Sequence, residues 1–294
     1  MGGDVKALVK PAGSTSKHLP LPLAKRILLH VLHGLAHIHH CGVVHADLKH
    51  DNIMFDIGPM TRDDIETFIK MNPARRHPPE ESWQCVVQAG VSQPLPLPSP
   101  SEAMTRNYMV ADFGSAQLLD LRTTDKITPF PLRAPEIILR GPWDTKVDIW
   151  AFGCLIFELT TGSSLFKYKP YPEHKLDEPT GHLWQMLCFS CERMTCDRVN
   201  TSKLGAHYFE PAVDNPMFCD LKAHPPKINH PYPLSIRNYK VMEEKDNLAT
   251  SLLMRRCLRL NPEDRATAEE LLQDPWFHGA AQVIFLLYNY LRNH

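Results

Sequence analysis

Apolar positions along the chain gather into a few helical stripes separated by polar and proline-rich stretches. Between residues 21 and 39, Leu21, Leu23, Ile27, Leu28, Val31, Leu32, Leu35 and Ile38 recur at three- and four-residue steps, which predicts one amphipathic helix. Residues 143–161 differ in kind. Trp143, Val147, Ile149, Trp150, Phe152, Leu155, Ile156, Phe157 and Leu159 leave almost no polar face, so they predict a helix at the centre of a domain. Another helix is expected through His182–Phe189. Two more cover 246–260 and 266–277, with Asn261-Pro262-Glu263-Asp264 as the stop and restart between them. Ile53-Met54-Phe55 reads as a short strand, and Tyr108-Met109-Val110-Ala111 as its partner, running into Asp112.

Roughly fifty residues, from about Gly58 to Asn107, separate those two strands. They hold a helical stretch, Arg62 to Lys70, and then a basic, proline-bearing run, Arg75-Arg76-His77-Pro78-Pro79. Gln93-Pro94-Leu95-Pro96-Leu97-Pro98-Ser99-Pro100 follows, and it favours an extended, polyproline-like path. A loop of this length inside a compact lobe is functional or partly disordered. Its simplest reading is a surface appendage, and its prolines also suit docking into an aromatic groove of a partner. The tail from Ala280 to Tyr290 is apolar at its centre and is expected to pack on the lobe.

Charge and cysteine content change little. Lys plus Arg number 32 against 33 Asp plus Glu, so nothing global points to nucleic acid or to an acidic membrane. The N-terminus does not read as a secretory signal, and the apolar run Val147–Leu159 is too short and too charged to span a bilayer. The eight cysteines form no regular disulfide framework, so a reducing cytoplasmic or nuclear setting is expected. Cys188-x-x-Cys191, with Cys196 and His182 nearby, lacks the second ligand pair that structural zinc needs. Ordinary buried thiols are the expectation there.

The chemistry sits elsewhere. His45-Ala46-Asp47-Leu48-Lys49-His50-Asp51-Asn52 has the spacing H-x-D-x-K-x-x-N, and Asp112-Phe113-Gly114 follows. A base, a cation and two oxygen ligands for a hard metal are what phosphoryl transfer asks of a protein. Ala134-Pro135-Glu136, then Asp148-Ile149-Trp150-Ala151-Phe152-Gly153, then Arg265 complete an ordered set. Alone, each has a bland reading: a solvated Asp-x-Lys loop, or a turn asparagine. Together, over residues 45 to 277, they resemble the C-terminal lobe of a eukaryotic protein kinase.

The resemblance implies a mainly α fold, an α+β kinase-like lobe around a buried helix with short strands at the active-site face. It covers residues 1–277, with the insertion at about 58–107 and a tail at 278–294. It implies ATP and Mg²⁺ as cofactors. Asp47 would orient or accept the substrate hydroxyl proton, and Lys49 would sit beside the transferred phosphoryl group. Asn52 and Asp112 would hold the metal. Met54 would floor the adenine, and Asp4 would be placed to reach ribose. His45 and Phe113 would stack in an apolar spine, Asp148 would accept N–H groups of the catalytic loop, and Glu136 with Arg265 would form a buried ion pair. The family's glycine-rich phosphate loop and strand lysine precede the catalytic loop. Only 44 residues precede His45, Met1-Gly2-Gly3 is too short for that loop, and Lys6, Lys10 and Lys17 are not in an apolar strand. The expectation is therefore a kinase without its N-terminal lobe, weak or inactive as an isolated chain.

Two departures narrow the subfamily. Ala46 stands where the family commonly has an arginine that pairs with a phosphorylated activation loop. Pro129 stands where a threonine usually contacts the catalytic aspartate, while Arg133 keeps the arginine before A-P-E. With the insertion, these are similar to SR-protein-kinase-like serine/threonine kinases of a fungal type, whose substrate class would be Ser/Arg-rich protein. Two other functions compete. One is a catalytically inactive lobe acting as a binding module. The other is a small-molecule phosphotransferase, which leaves Ala134-Pro135-Glu136, Trp150 and Arg265 unexplained.

Overall fold

The computed structural model describes residues 3–9, 18–91, 96–278 and 280. At its centre lies the helix Lys146–Thr161, buried on nearly every face, including Asp148, Trp150 and Phe152. The amphipathic helix Leu21–His40 packs across it and also meets the helix Ala268–Leu272. Gly153 is where the chain from Cys257 to Leu258 crosses the central helix. A Cβ there would stand 2.6 Å from Leu258 Cγ, so only glycine allows this approach. The helix ends at Gly162, whose φ of +74° is the left-handed cap and whose N–H donates to Glu158 O.

Small sheets decorate this helical body, so the fold is mixed α+β. Ile53–Phe55 is the middle strand of three, antiparallel to Tyr108–Val110 on one side and to Gly3–Asp4 on the other. Met54 stands opposite both Asp4 and Met109. Gly3–Asp4 is a strand that periodicity does not reveal, because two residues carry no period. Val43–Val44 pairs with Gln117–Leu118. A third sheet sets Phe218–Leu221 between Met194–Thr195 and Phe209–Pro211.

Several sequence expectations need correction. Trp143 lies before the central helix, which starts at Lys146. Asp144 turns the chain there, its carboxylate accepting the Lys146 N–H, and the buried Trp143 donates its indole N–H to Asp125. The expected helices 246–260 and 266–277 are Glu244–Cys257 and Ala268–Leu272, followed by a 3₁₀ turn at Pro275–Phe277. The chain must leave the helix after Cys257 because the Arg259 and Leu260 carbonyls turn to accept from Arg265. In the insertion, the helix Arg62–Met71 opens with a capping box at Thr61 and buries no residue. A hairpin, Glu80–Glu81 with Val86–Val87, carries a fully exposed Trp83. The expected extended path through Gln93–Pro100 is interrupted, since Ser99 caps a short helix, Pro100–Ala103, in which proline takes the N-terminal position it tolerates. Residues 92–95 and the apolar tail beyond Ala280 lie outside the described residues. No helix among the described residues is long and apolar enough to cross a membrane.

Candidate active site

The catalytic-loop motif begins where strand Val43–Val44 ends, and the central helix fixes it. Asp148, in the first turn of that helix and fully buried, accepts the His45 N–H at 2.8 Å and the Ala46 N–H at 2.9 Å, one on each oxygen. His39 Nε2, from the end of the Leu21–His40 helix, is 2.9 Å from the same carboxylate. A buried carboxylate held by three donors is a rigid post. It holds Ala46 at φ +65°, a left-handed conformation that costs a non-glycine residue about 1–3 kcal/mol. Ala46 O accepts from Thr128 N–H, which ties the activation segment to the loop.

The fully buried His45 shapes the next turn. Its Nδ1 accepts the Asp47 N–H at 3.2 Å, which leaves the ring proton on Nε2 to donate to Ala111 O at 3.0 Å. Phe113 meets the His45 ring edge-on at 5.1 Å, although Phe113 remains about half exposed. Lys49 Nζ and Asn52 Nδ2 then converge on one oxygen of Asp47, Oδ2, at 2.7 and 2.8 Å, and neither donates to Oδ1. Asn52 Nδ2 also donates to Asp47 O at 2.9 Å. Both hydrogens of the Asn52 amide are thus engaged, so its oxygen Oδ1 is the atom left to face a cation. Ala111 N–H donates to Asn52 O, which extends the strand pairing by one step past Ile53–Val110, and Asp112 is the next residue along the chain. Asp112 is exposed, has φ +64°, and accepts the Gly114 N–H at 3.4 Å. The Asn52 amide oxygen and the Asp112 carboxylate are oxygen donors of the kind a hard divalent cation selects. Among the described residues no three His, Cys, Asp or Glu side chains cluster tightly enough to hold a metal by themselves.

Met54 is half-buried on the face of its strand opposite to buried Ile53 and Phe55. Asp4, paired with Met54 across the strands, caps the helix Val5–Val9, its Oδ1 accepting the Ala7 N–H at 2.8 Å. Glu136 and Arg265, both buried, form a two-pronged pair at 2.6 and 2.7 Å, and Arg265 lies 4.9 Å over the Trp150 ring. Thr128, beside Pro129, turns its hydroxyl to Ile127 O and so does not replace the missing contact to Asp47. Arg133 donates to Thr128 O at 3.1 Å and covers the Phe130 ring, which stacks on Tyr168 at 4.6 Å.

Two supporting residues escaped the sequence reading. His39 carried no signal beyond lying in a helix's last turn. Lys6, which lies in no apolar strand pattern, reaches Asp51 at 2.5 Å. The Asp51 carboxyl, despite desolvation that pushes it up, is held below its ordinary value by the Lys6 bond and nearby positive charge. The candidate zinc cluster is not assembled. Cys191 is an exposed helix cap rather than a buried thiol, His182 packs on Phe166 and Tyr168, and Cys196 lies against Cys219.

Comparison with known proteins identifies a family. The protein kinase domain family model matches residues 1–72 and 99–277, which leaves 73–98 of the insertion unmatched. That match starts at residue 1 and lends no support to the expectation of a missing N-terminal lobe. A serine/threonine-protein kinase SRPK of Physarum polycephalum is 29% identical over 88% of this chain and 62% of its own length. A probable serine/threonine-protein kinase, sky1, of Dictyostelium discoideum is 33% identical over 57% of this chain and 24% of its own. A serine/threonine protein kinase of Aspergillus fumigatus is 26% identical over 92% of this chain and 60% of its own. The chain thus spans less than two thirds of the length of these relatives. With the matched residues holding the loop, its buried post and the Glu136–Arg265 pair in one body, the chain belongs to the protein kinase domain family.

Proposed function

We propose that this chain carries the phosphoryl-transfer site of a serine/threonine protein kinase of the SR-protein-kinase-like type, moving the ATP γ-phosphoryl group to a protein hydroxyl. One observation carries the reading: Lys49 and Asn52 pin Asp47 through Oδ2 alone. Oδ1 is then the oxygen that receives a substrate hydroxyl, and the pinned carboxylate loses little entropy when it does so. Lys49, already beside Asp47, is the point charge nearest the group in transit. Asn52 Oδ1 and the Asp112 carboxylate would hold Mg²⁺, and Met54 would lie under adenine. Bound Mg²⁺ neutralises the phosphate oxygens as charge develops on them. His45 and Asp148 touch no reacting atom in this scheme; they position the loop.

The relatives' names support the serine/threonine class, and a Ser/Arg-rich substrate is the finer part of the proposal. So are a cytoplasmic or nuclear location and a docking role for the exposed insertion. The test is transfer of labelled γ-phosphate to a Ser/Arg-repeat peptide and to a peptide with Arg replaced by Ala, using the 294-residue chain and any longer form of the protein. Transfer that needs Mg²⁺, prefers the Ser/Arg peptide and disappears in Asp47→Asn is expected. Transfer that survives Asp47→Asn removes the site from the mechanism, and equal use of both peptides removes the substrate class.

A further inference from the structure

The third sheet, separate from the strands that carry the candidate active site, brings two cysteines into contact. Cys196 follows strand Met194–Thr195, and Cys219 lies in the neighbouring strand Phe218–Leu221, opposite Met194. Cys196 N–H donates to Met217 O, which extends the ladder by one step and turns Cys196 toward Cys219. Their sulfurs are 2.9 Å apart, closer than two unbonded thiols pack, and closing to a disulfide at about 2.0 Å asks for a shift of under about 1 Å. All eight cysteines are free thiols here.

We propose that Cys196 and Cys219 form a reversible disulfide, an oxidation site that clamps this sheet. The two sulfurs have unequal access, and that sets the order of events. Cys219 is buried, and burial together with the neighbouring Cys196 pushes its thiol up to about 12, so it does not start the exchange. Cys196 is partly exposed and does. Its thiolate attacks a small disulfide such as oxidised glutathione. A Cys196–glutathione bond forms, and one glutathione leaves as its thiol. Cys219 then gives up its proton and attacks the Cys196 sulfur, forming the Cys196–Cys219 bond and releasing the second glutathione. Two protein thiols are oxidised, one glutathione disulfide is reduced, and no further oxidant enters. The bond closes a loop running from Cys196 to Cys219 that includes the strand Phe209–Pro211. It would fix the wall of a cavity of about 440 Å³ to which Cys219 and Asp220 contribute.

The experiment uses the full chain in glutathione buffers of graded poise, with acid quenching, denaturing thiol counts and non-reducing peptide mapping. The expected result is a fall from eight to six free thiols, a cross-linked pair of peptides holding Cys196 and Cys219, and full reversal by dithiothreitol. The oxidised chain should unfold at a temperature roughly 5 °C higher. Cys219→Ser should stop at a stable glutathione adduct on Cys196, and Cys196→Ser should lose the cross-link with Cys219 unmodified. Both serine variants are near-isosteric, and a Cys196→Ala, Cys219→Ala double variant checks that the sheet folds without either thiol. The proposal is overturned if oxidation goes instead to exposed Cys41, Cys85 or Cys191 while Cys196 and Cys219 stay reduced. It is equally overturned if the wild-type chain accumulates the Cys196 adduct without the second step.

Discussion

Replacing Arg265 by alanine strips a buried carboxylate of its counter-charge. Glu136 and Arg265 are both essentially inaccessible, and the guanidinium meets the two carboxylate oxygens at 2.6 and 2.7 Å. It also donates to Lys146 O at 3.0 Å and to Arg259 O at 2.8 Å, so the substitution orphans backbone carbonyls as well. Breaking such a pair costs about 3–5 kcal/mol, because the remaining charge stays desolvated. Against a total of about 5–15 kcal/mol this is a large fraction. For a domain of this size it lowers Tm by roughly 10 °C. The cost belongs to the stranded charge and not to a favourable bond, so removing both partners should recover much of it. Arg265→Met with Glu136→Leu should therefore be more stable than Arg265→Ala, by about 3 kcal/mol or more, because an apolar pair in place of the intact one is close to neutral. The assay is calorimetry with urea unfolding on all three chains at one pH. A loss in Arg265→Ala under about 1 kcal/mol, or a double variant less stable than the single one, would refute the reasoning.

The remaining predictions concern turnover, pH and the insertion. Asp47→Ala should lower turnover by about 10²–10⁴-fold while changing the Kd for ATP much less, because the base acts on the hydroxyl during transfer; parallel losses in both would contradict this. Burial holds the His182 ring at about 4, below its ordinary 6.5, so the unfolded chain binds the extra proton between those values and stability falls as pH drops through that window. Between pH 7 and pH 5 this accounts for a loss of about 2 kcal/mol, which should be missing from the profile of His182→Leu; parallel profiles for the two chains would count against it. Exchanging residues 73–98 for a Gly/Ser linker should leave unfolding within about 1 kcal/mol of wild type, since the described part of that segment is almost wholly exposed; a larger loss in urea unfolding would show hidden packing.

Much of this protein was legible in its residues because the signals are local. A helix announces its buried face every three or four residues, so Leu21–His40 and the core of Lys146–Thr161 follow from the pattern of leucines, isoleucines and aromatics. A loop of this kind is read from its own short spacing, and Lys49 and Asn52 do both lie within hydrogen-bond reach of Asp47. Apart from the Glu136–Arg265 pair and the Asp148 contacts to the loop, which the family resemblance implies, what the sequence left open are contacts between residues far apart in the chain. His39 and Asp148 meet across 109 positions, Lys6 and Asp51 across 45, and Cys196 and Cys219 across 23. The same holds for where helices stop: the chain leaves its helix after Cys257 because Arg265 needs the Arg259 and Leu260 carbonyls, and Arg265 is placed by Glu136, 129 positions away. Periodicity reports which face of an element is apolar. Which polar atom a buried charge will claim is decided only when packing has removed water and left one partner within reach.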